Sequence, residues 1–149
     1  MKLSNKSIIT VLLILLVACS VLLYINYSKK IFLQKNVDLI FTDAISKSMG
    51  GLAMDYSKID NIQKLKYYEQ TLSNLHDALN IFHLTSYKKY DDLFLALNRL
   101  YFHLLENPSD DYEIEGKSNI FEFLGKIMVV PDDSQLLSDF NHFLDSKNK

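Results

Sequence analysis

The chain has 149 residues with a formal net charge of −2, one cysteine, no tryptophan and 48% hydrophobic residues. About 120 residues remain beyond the apolar N-terminal stretch, enough for one domain with a modest core and not for two. The charge is unevenly placed: residues 1–30 hold Lys2, Lys6, Lys29 and Lys30 and no acid, while the other twelve basic residues face all eighteen acids. An acidic domain gains nothing from counterion release, which speaks against nucleic acid as a partner. A single cysteine leaves the rest of the chain without a disulfide, a thiolate metal site or a cysteine nucleophile.

Residues 1–6 form a short basic tail. From Ser7 to Ser28, twenty-two residues pass without a charge. As a helix this run is ~33 Å long, close to the ~30 Å hydrocarbon core of a bilayer. Tyr24 and Tyr27 then fall at head-group depth, as aromatic belts do, and the flanking lysines reach water. Residues 7–28 are therefore expected to meet a lipid bilayer as a transmembrane helix of the signal-anchor type.

Two further readings share this stretch. Leu16-Val17-Ala18-Cys19 resembles the processing site of bacterial lipoproteins, with Lys2 and Lys6 as the basic start and Ile8–Leu15 as the apolar middle. That resemblance implies lipidation at Cys19 and a mature chain that begins there. Cleavage after Ser20, with Ala18 and Ser20 as the small residues, would instead remove the segment. Val21-Leu22-Leu23-Tyr24-Ile25 prolongs the apolar run where a lipoprotein has a polar tether, and this favours the uncleaved anchor. Fifteen lysines to one arginine, with eleven asparagines, suggest an AT-rich bacterial genome. Lysines flank both ends of the span. A short basic tail before the first apolar run and a domain without cysteine favour the domain outside the cell.

Residues 29–149 are expected to form a helical bundle domain. Neither glycine nor proline occurs before Gly50. The membrane helix is thus expected to run on, or bend, into a helix over 31–48. There Leu33, Val37, Ile40, Phe41, Ala44 and Ile45 recur at helical spacing, and Gly50-Gly51 is the expected stop. Asp60, with Gln63 three residues on, predicts the start of a long helix. Its Leu65, Tyr68, Leu72, Leu75, Leu79 and Phe82 follow alternating steps of three and four, a seam for bundle packing. Thr85-Ser86 predicts a cap for a helix over 87–106 that ends before Pro108. Residues 109–117 read as a solvated acidic loop that lacks the calcium-binding loop pattern. Asn119 with Glu122 and Asp132 with Gln135 predict the starts of two more helices, the first ending before Pro131. No useful stretch alternates with period two. The fold class is all-α: an N-terminal transmembrane helix followed by an antiparallel bundle of four or five helices.

Chemistry is hard to find in this pattern. His76 and His83 are seven residues apart, ~10.5 Å along a helix, too far to share an ion. His103 with Glu106 and Asp139 with His142 suit helix-surface hydrogen bonds. No serine stands in a nucleophile-elbow pattern. We therefore expect no catalytic residues, no metal site and no cofactor. Seven tyrosines lie beyond the apolar run, and tyrosine is enriched at interfaces. Tyr67, Tyr87 and Tyr90 are the candidate contact residues for a protein partner. The expected function is membrane-anchored binding of a protein or envelope partner by an exported domain. The alternatives are a cytoplasm-facing regulatory or assembly subunit and a lipoprotein lipidated at Cys19.

Overall fold

The structure is a computed structural model that describes residues 5–106, 108, 112 and 114–147. Five α-helices and three short 3-10 segments account for its regular structure, with no strand among the described residues. α1 spans Asn5–Leu52, α2 Asn61–Ile81, α3 Asp91–Glu106, α4 Lys117–Ile127 and α5 Ser134–Lys147. The 3-10 segments are Tyr56–Lys58, Phe82–Leu84 and Ser86–Lys89. The chain clusters into two compact units that divide after Asn36. The first is helical from Asn5 onward, and the second holds the bundle.

In the bundle unit, each helix buries an apolar stripe at helical spacing. α1 contributes Phe41, Ala44, Ile45 and Leu52, and α2 contributes Tyr68, Leu75, Ala78 and Leu79. α3 supplies Leu93, Ala96, Leu97, Leu100 and Leu104, spaced to face both neighbours at once. It packs on α2 and on α5. α4 and α5 close the core with Ile120, Phe123, Leu124, Leu137, Phe140 and Leu144. Truncating a buried leucine such as Leu97 in a core of this kind costs about 2–5 kcal/mol.

Directions follow from which residues meet. Phe41 meets Phe82 at 5.8 Å, and the Thr71 hydroxyl donates to the Ser48 carbonyl at 3.4 Å, so α1 and α2 run antiparallel. Phe82 meets Phe94 at 5.2 Å, while the Tyr68 hydroxyl donates to the Leu104 carbonyl at the far end, so α2 and α3 are antiparallel too. Phe123 stacks on Phe140 with centroids 3.6 Å apart. Phe143, three residues further along α5, lies against Gly116 just before α4, a Cβ there standing 2.5 Å from its ring, which makes that pair antiparallel. Asp92 shares a hollow with Ser134, while Arg99, further along α3, meets Asn141 and Asp145, so α3 and α5 point the same way.

Caps explain several boundaries. Asp60 caps α2 as expected, its carboxylate accepting from the Gln63 amide at 2.8 Å, a bond worth about 1 kcal/mol. Three other boundaries differ from the sequence expectation. Thr85 caps the 3-10 segment Ser86–Lys89, its hydroxyl accepting from the Tyr87 amide at 3.1 Å, and α3 starts only at Asp91. Tyr90, with φ −107° and ψ 78°, makes the break. Asn119 and Glu122 are not a capping pair. α4 already begins at Lys117, behind Gly116 in the left-handed region at φ 69°, and Glu122 reaches forward to Lys126 at 2.6 Å. α5 is capped by Asp133 instead of Asp132: its carboxylate accepts from the Leu136 amide at 3.0 Å.

Gly50-Gly51 is the largest departure, because α1 runs through both glycines to Leu52. Gly51 is there for closeness. A Cβ at that position would stand 2.3 Å from the Thr71 hydroxyl oxygen and 2.8 Å from the Tyr67 carbonyl oxygen. Gly50 meets nothing within 4 Å. The predicted stripe also overreaches: Leu33 and Ile40 are exposed. The acidic-loop expectation for Asp110, Asp111 and Glu113 lies outside the described residues, as does Asn107.

Candidate functional site

The apolar helix carries the first candidate. Within Ile8–Leu52, an eighteen-residue window reaches a mean hydropathy of 3.0 with none of it buried. Length and composition make it a helix able to cross a membrane. Leu, Ile and Val exposed at nearly every position from Ile8 to Val17 are costly in water and favourable in lipid. Cys19 is exposed on this helix. Its neighbour Ser20 is already satisfied within the helix, its hydroxyl donating to the Leu16 carbonyl at 2.8 Å. Tyr24 and Tyr27 are exposed a few residues further on.

The second candidate is the tyrosine set, which the structure brings together only in part. Tyr87 and Tyr90 flank one 3-10 turn, both half-buried. Tyr87 lies against Phe41 with centroids 5.0 Å apart. Burial pushes its hydroxyl pKa up, and the charge of Asp38 adds to the effect. Tyr90 carries the Lys89 ammonium 4.7 Å above its ring. Their hydrogen bond raises the Lys89 pKa. Tyr67 belongs elsewhere. It sits in the second turn of α2, beside the Gly51 crossing, fifteen residues and ~22 Å of helix from Phe82.

The corner that holds Tyr87 is fixed to α1. The Ser86 amide donates to the Asp38 carboxylate at 2.7 Å, across 48 residues of sequence. Leu84, just before it, is 64% exposed. Lys88 and Lys89 are exposed as well.

The third candidate is an open groove between α3 and α5. Two adjoining hollows of ≈ 350 and ≈ 380 Å³ share Asp92, Ser134 and Leu137. Arg99 closes the second hollow: it donates to the Asn141 side-chain carbonyl at 2.9 Å and pairs with Asp145. The sole arginine thus ties α3 to α5 and holds a carboxylate already. Its planar fork suits this two-partner role, which a lysine would fill poorly. Sequence reading missed this strut; the lone arginine among lysines was the only signal.

The histidines do not converge. His76 lies against Tyr101 at 5.4 Å, and His83, itself exposed, lies beside the Phe82–Phe94 pair with centroids at 5.8 and 4.9 Å. His142 borders the α3–α5 groove. Among the described residues, no group of three or more His, Cys, Asp or Glu side chains is placed to hold a metal ion.

Taken together, the described residues define an all-α protein with a helical bundle and one N-terminal helix long and apolar enough to span a membrane. No protein-family model, no curated protein and no solved structure matches the chain.

Proposed function

We propose that this chain is a single-pass bacterial membrane protein, anchored through residues 7–28, whose helical domain lies outside the cell and binds a protein or envelope partner. The observation that carries the proposal is the bare apolar helix: an unburied window of mean hydropathy 3.0 is long and apolar enough to cross a bilayer. Uncleaved anchoring accords with a helix that continues past Ser28 without interruption. The binding role rests on composition and placement. Tyr87 and Tyr90 offer contact area with polar tips, at a corner that Asp38 and Phe41 hold in place.

Photo-cross-linking in intact cells from residues substituted at Tyr87 and Tyr90 tests the binding role. A discrete adduct of one size supports it, and uniform absence of adducts from both positions contradicts it. Mass spectrometry of the mature N-terminus tests the anchor. An uncleaved chain supports it. A diacylglyceryl Cys19 would replace it with the lipoprotein reading, and a start at Val21 would remove the anchor altogether.

A further inference from the structure

We propose that the 3-10 corner between α2 and α3, from Phe82 to Lys89, is a second membrane contact that docks on an anionic lipid surface. The inference rests on the anchored reading above and adds a site to it.

Composition comes first. The corner reads Phe82-His83-Leu84-Thr85-Ser86-Tyr87-Lys88-Lys89, with two lysines and no acid. It is built of two 3-10 turns joined at Thr85. Thr85 is buried and its hydroxyl donates to the Phe82 carbonyl at 2.6 Å, which locks the first turn. Phe82 fills the core, so the backbone here is held from inside. What it holds outward is Leu84, 64% exposed, with Lys88 and Lys89 close behind. An exposed leucine beside a lysine is the chemistry of the head-group boundary. The apolar side chain enters the acyl edge and the ammonium group meets phosphate.

Chain connection supplies the second argument. The Ser86 amide bonds to Asp38, and Tyr87 packs on Phe41. Asp38 is only ten residues beyond Ser28, where the uncharged run ends. Ten residues reach no more than ~36 Å at any angle between the two units. The corner is thus tethered within reach of the surface that the anchor crosses. Charge complementarity is the third argument. The domain is acidic overall, yet this corner presents Lys88 and Lys89. Of the acids around it, Asp38 is engaged by the Ser86 amide, and Asp91, Asp92 and Asp132 border the α3–α5 groove together with Lys89, so Lys88 carries the positive charge that the corner offers a surface. Lys88 and Leu84 are therefore the leading contacts, and Tyr87 is a positioning residue.

The test uses the full chain with Cys19→Ser as background, reconstituted into vesicles of phosphatidylcholine with phosphatidylglycerol. Single cysteines at Leu84 and, as control, at Ile62 carry a fluorophore, and brominated lipids act as the quencher. Ile62 is 81% exposed and lies at the opposite end of α2. The expected result is strong quenching from Leu84→Cys and little from Ile62→Cys. Adding Lys88→Gln is expected to lower the docked-to-undocked ratio by about fivefold, since a lysine near such a surface contributes roughly that factor. Equal quenching at the two positions overturns the proposal, provided that the protein floats with the vesicles after alkaline carbonate. In that event the anchor stands and the corner contact falls. Loss of the chain from the vesicles in carbonate overturns the anchor itself, and the contact with it.

Discussion

Gly50 and Gly51 are neighbours in one helix, yet alanine is expected to act in opposite directions at the two. Both substitutions gain helix propensity, about 0.5–1 kcal/mol relative to glycine. At Gly50 nothing lies within 4 Å of the new Cβ, so the gain stands alone. At Gly51 the Cβ would meet the Thr71 hydroxyl oxygen at 2.3 Å and the Tyr67 carbonyl oxygen at 2.8 Å. The hydroxyl cannot simply swing aside, because it donates to that same Tyr67 carbonyl at 2.9 Å. The carbonyl is backbone, so relief requires α2 to shift away from α1. Overpacking of this kind costs about 1–3 kcal/mol, which leaves Gly51→Ala destabilised by up to about 2.5 kcal/mol net. With about 4 °C per kcal/mol for a domain of this size, Gly51→Ala is expected to lower Tm by up to about 10 °C. Gly50→Ala is expected to raise it by about 2–4 °C. Thermal unfolding of the full chain in detergent micelles, followed by circular dichroism at 222 nm, measures both. Two stabilised variants would refute the close-approach argument. Two destabilised variants would refute the claim that Gly50 faces open space.

Other outcomes follow from single contacts. Tyr68→Phe is expected to cost about 1–2 kcal/mol in the same assay, because it leaves the buried Leu104 carbonyl without its hydroxyl donor. Pro108, four residues on, has no N–H to replace it. An unchanged Tm would show that this bond is not stabilising. Asp55 is held at a pKa of about 2 by its bond with Lys58, with the Ser57 hydroxyl and amide adding to it. A carboxylate depressed in the folded state stabilises above its ordinary value of 3.8 and loses that contribution as pH falls toward 2. Carbon-detected NMR titration is expected to give the low value in the native chain and one nearer 3.8 in Lys58→Ala; equal values in the two would contradict the assignment. Arg99→Lys is expected to weaken the α3–α5 junction, since an ammonium cannot bridge Asn141 and Asp145 as the guanidinium does. Amide exchange in α5 that stays at the native rate would contradict this.

Much of the fold was legible because helical periodicity reports burial directly. The seam from Tyr68 through Leu75 and Leu79 to Phe82 is buried as its spacing requires. The Asp60 cap held because its bond is local, three residues long. The failures came where a residue type serves two ends. Glycine signals a helix stop by its backbone freedom, but Gly51 is used for its missing side chain, and only α2 lying across it reveals that. Asp132 and Asp133 are equivalent in sequence; the turn after Pro131 decides which carboxylate reaches the Leu136 amide. The candidate site was less legible. Tyr87 and Tyr90 share a corner because they are close in sequence, whereas Tyr67 belongs to the far end of α2. Neither the Asp38 bond to Ser86 nor the Arg99 strut has any local signature, because 48 and more than 40 residues separate the partners.

The central claim is an anchored chain with its domain outside, and protease treatment of intact protoplasts tests it most directly. With a tag on the N-terminus, added protease is expected to remove the bundle and leave a short tagged fragment in the membrane pellet. A full-length chain that resists protease until the membrane is opened with detergent would place the domain inside and contradict the account.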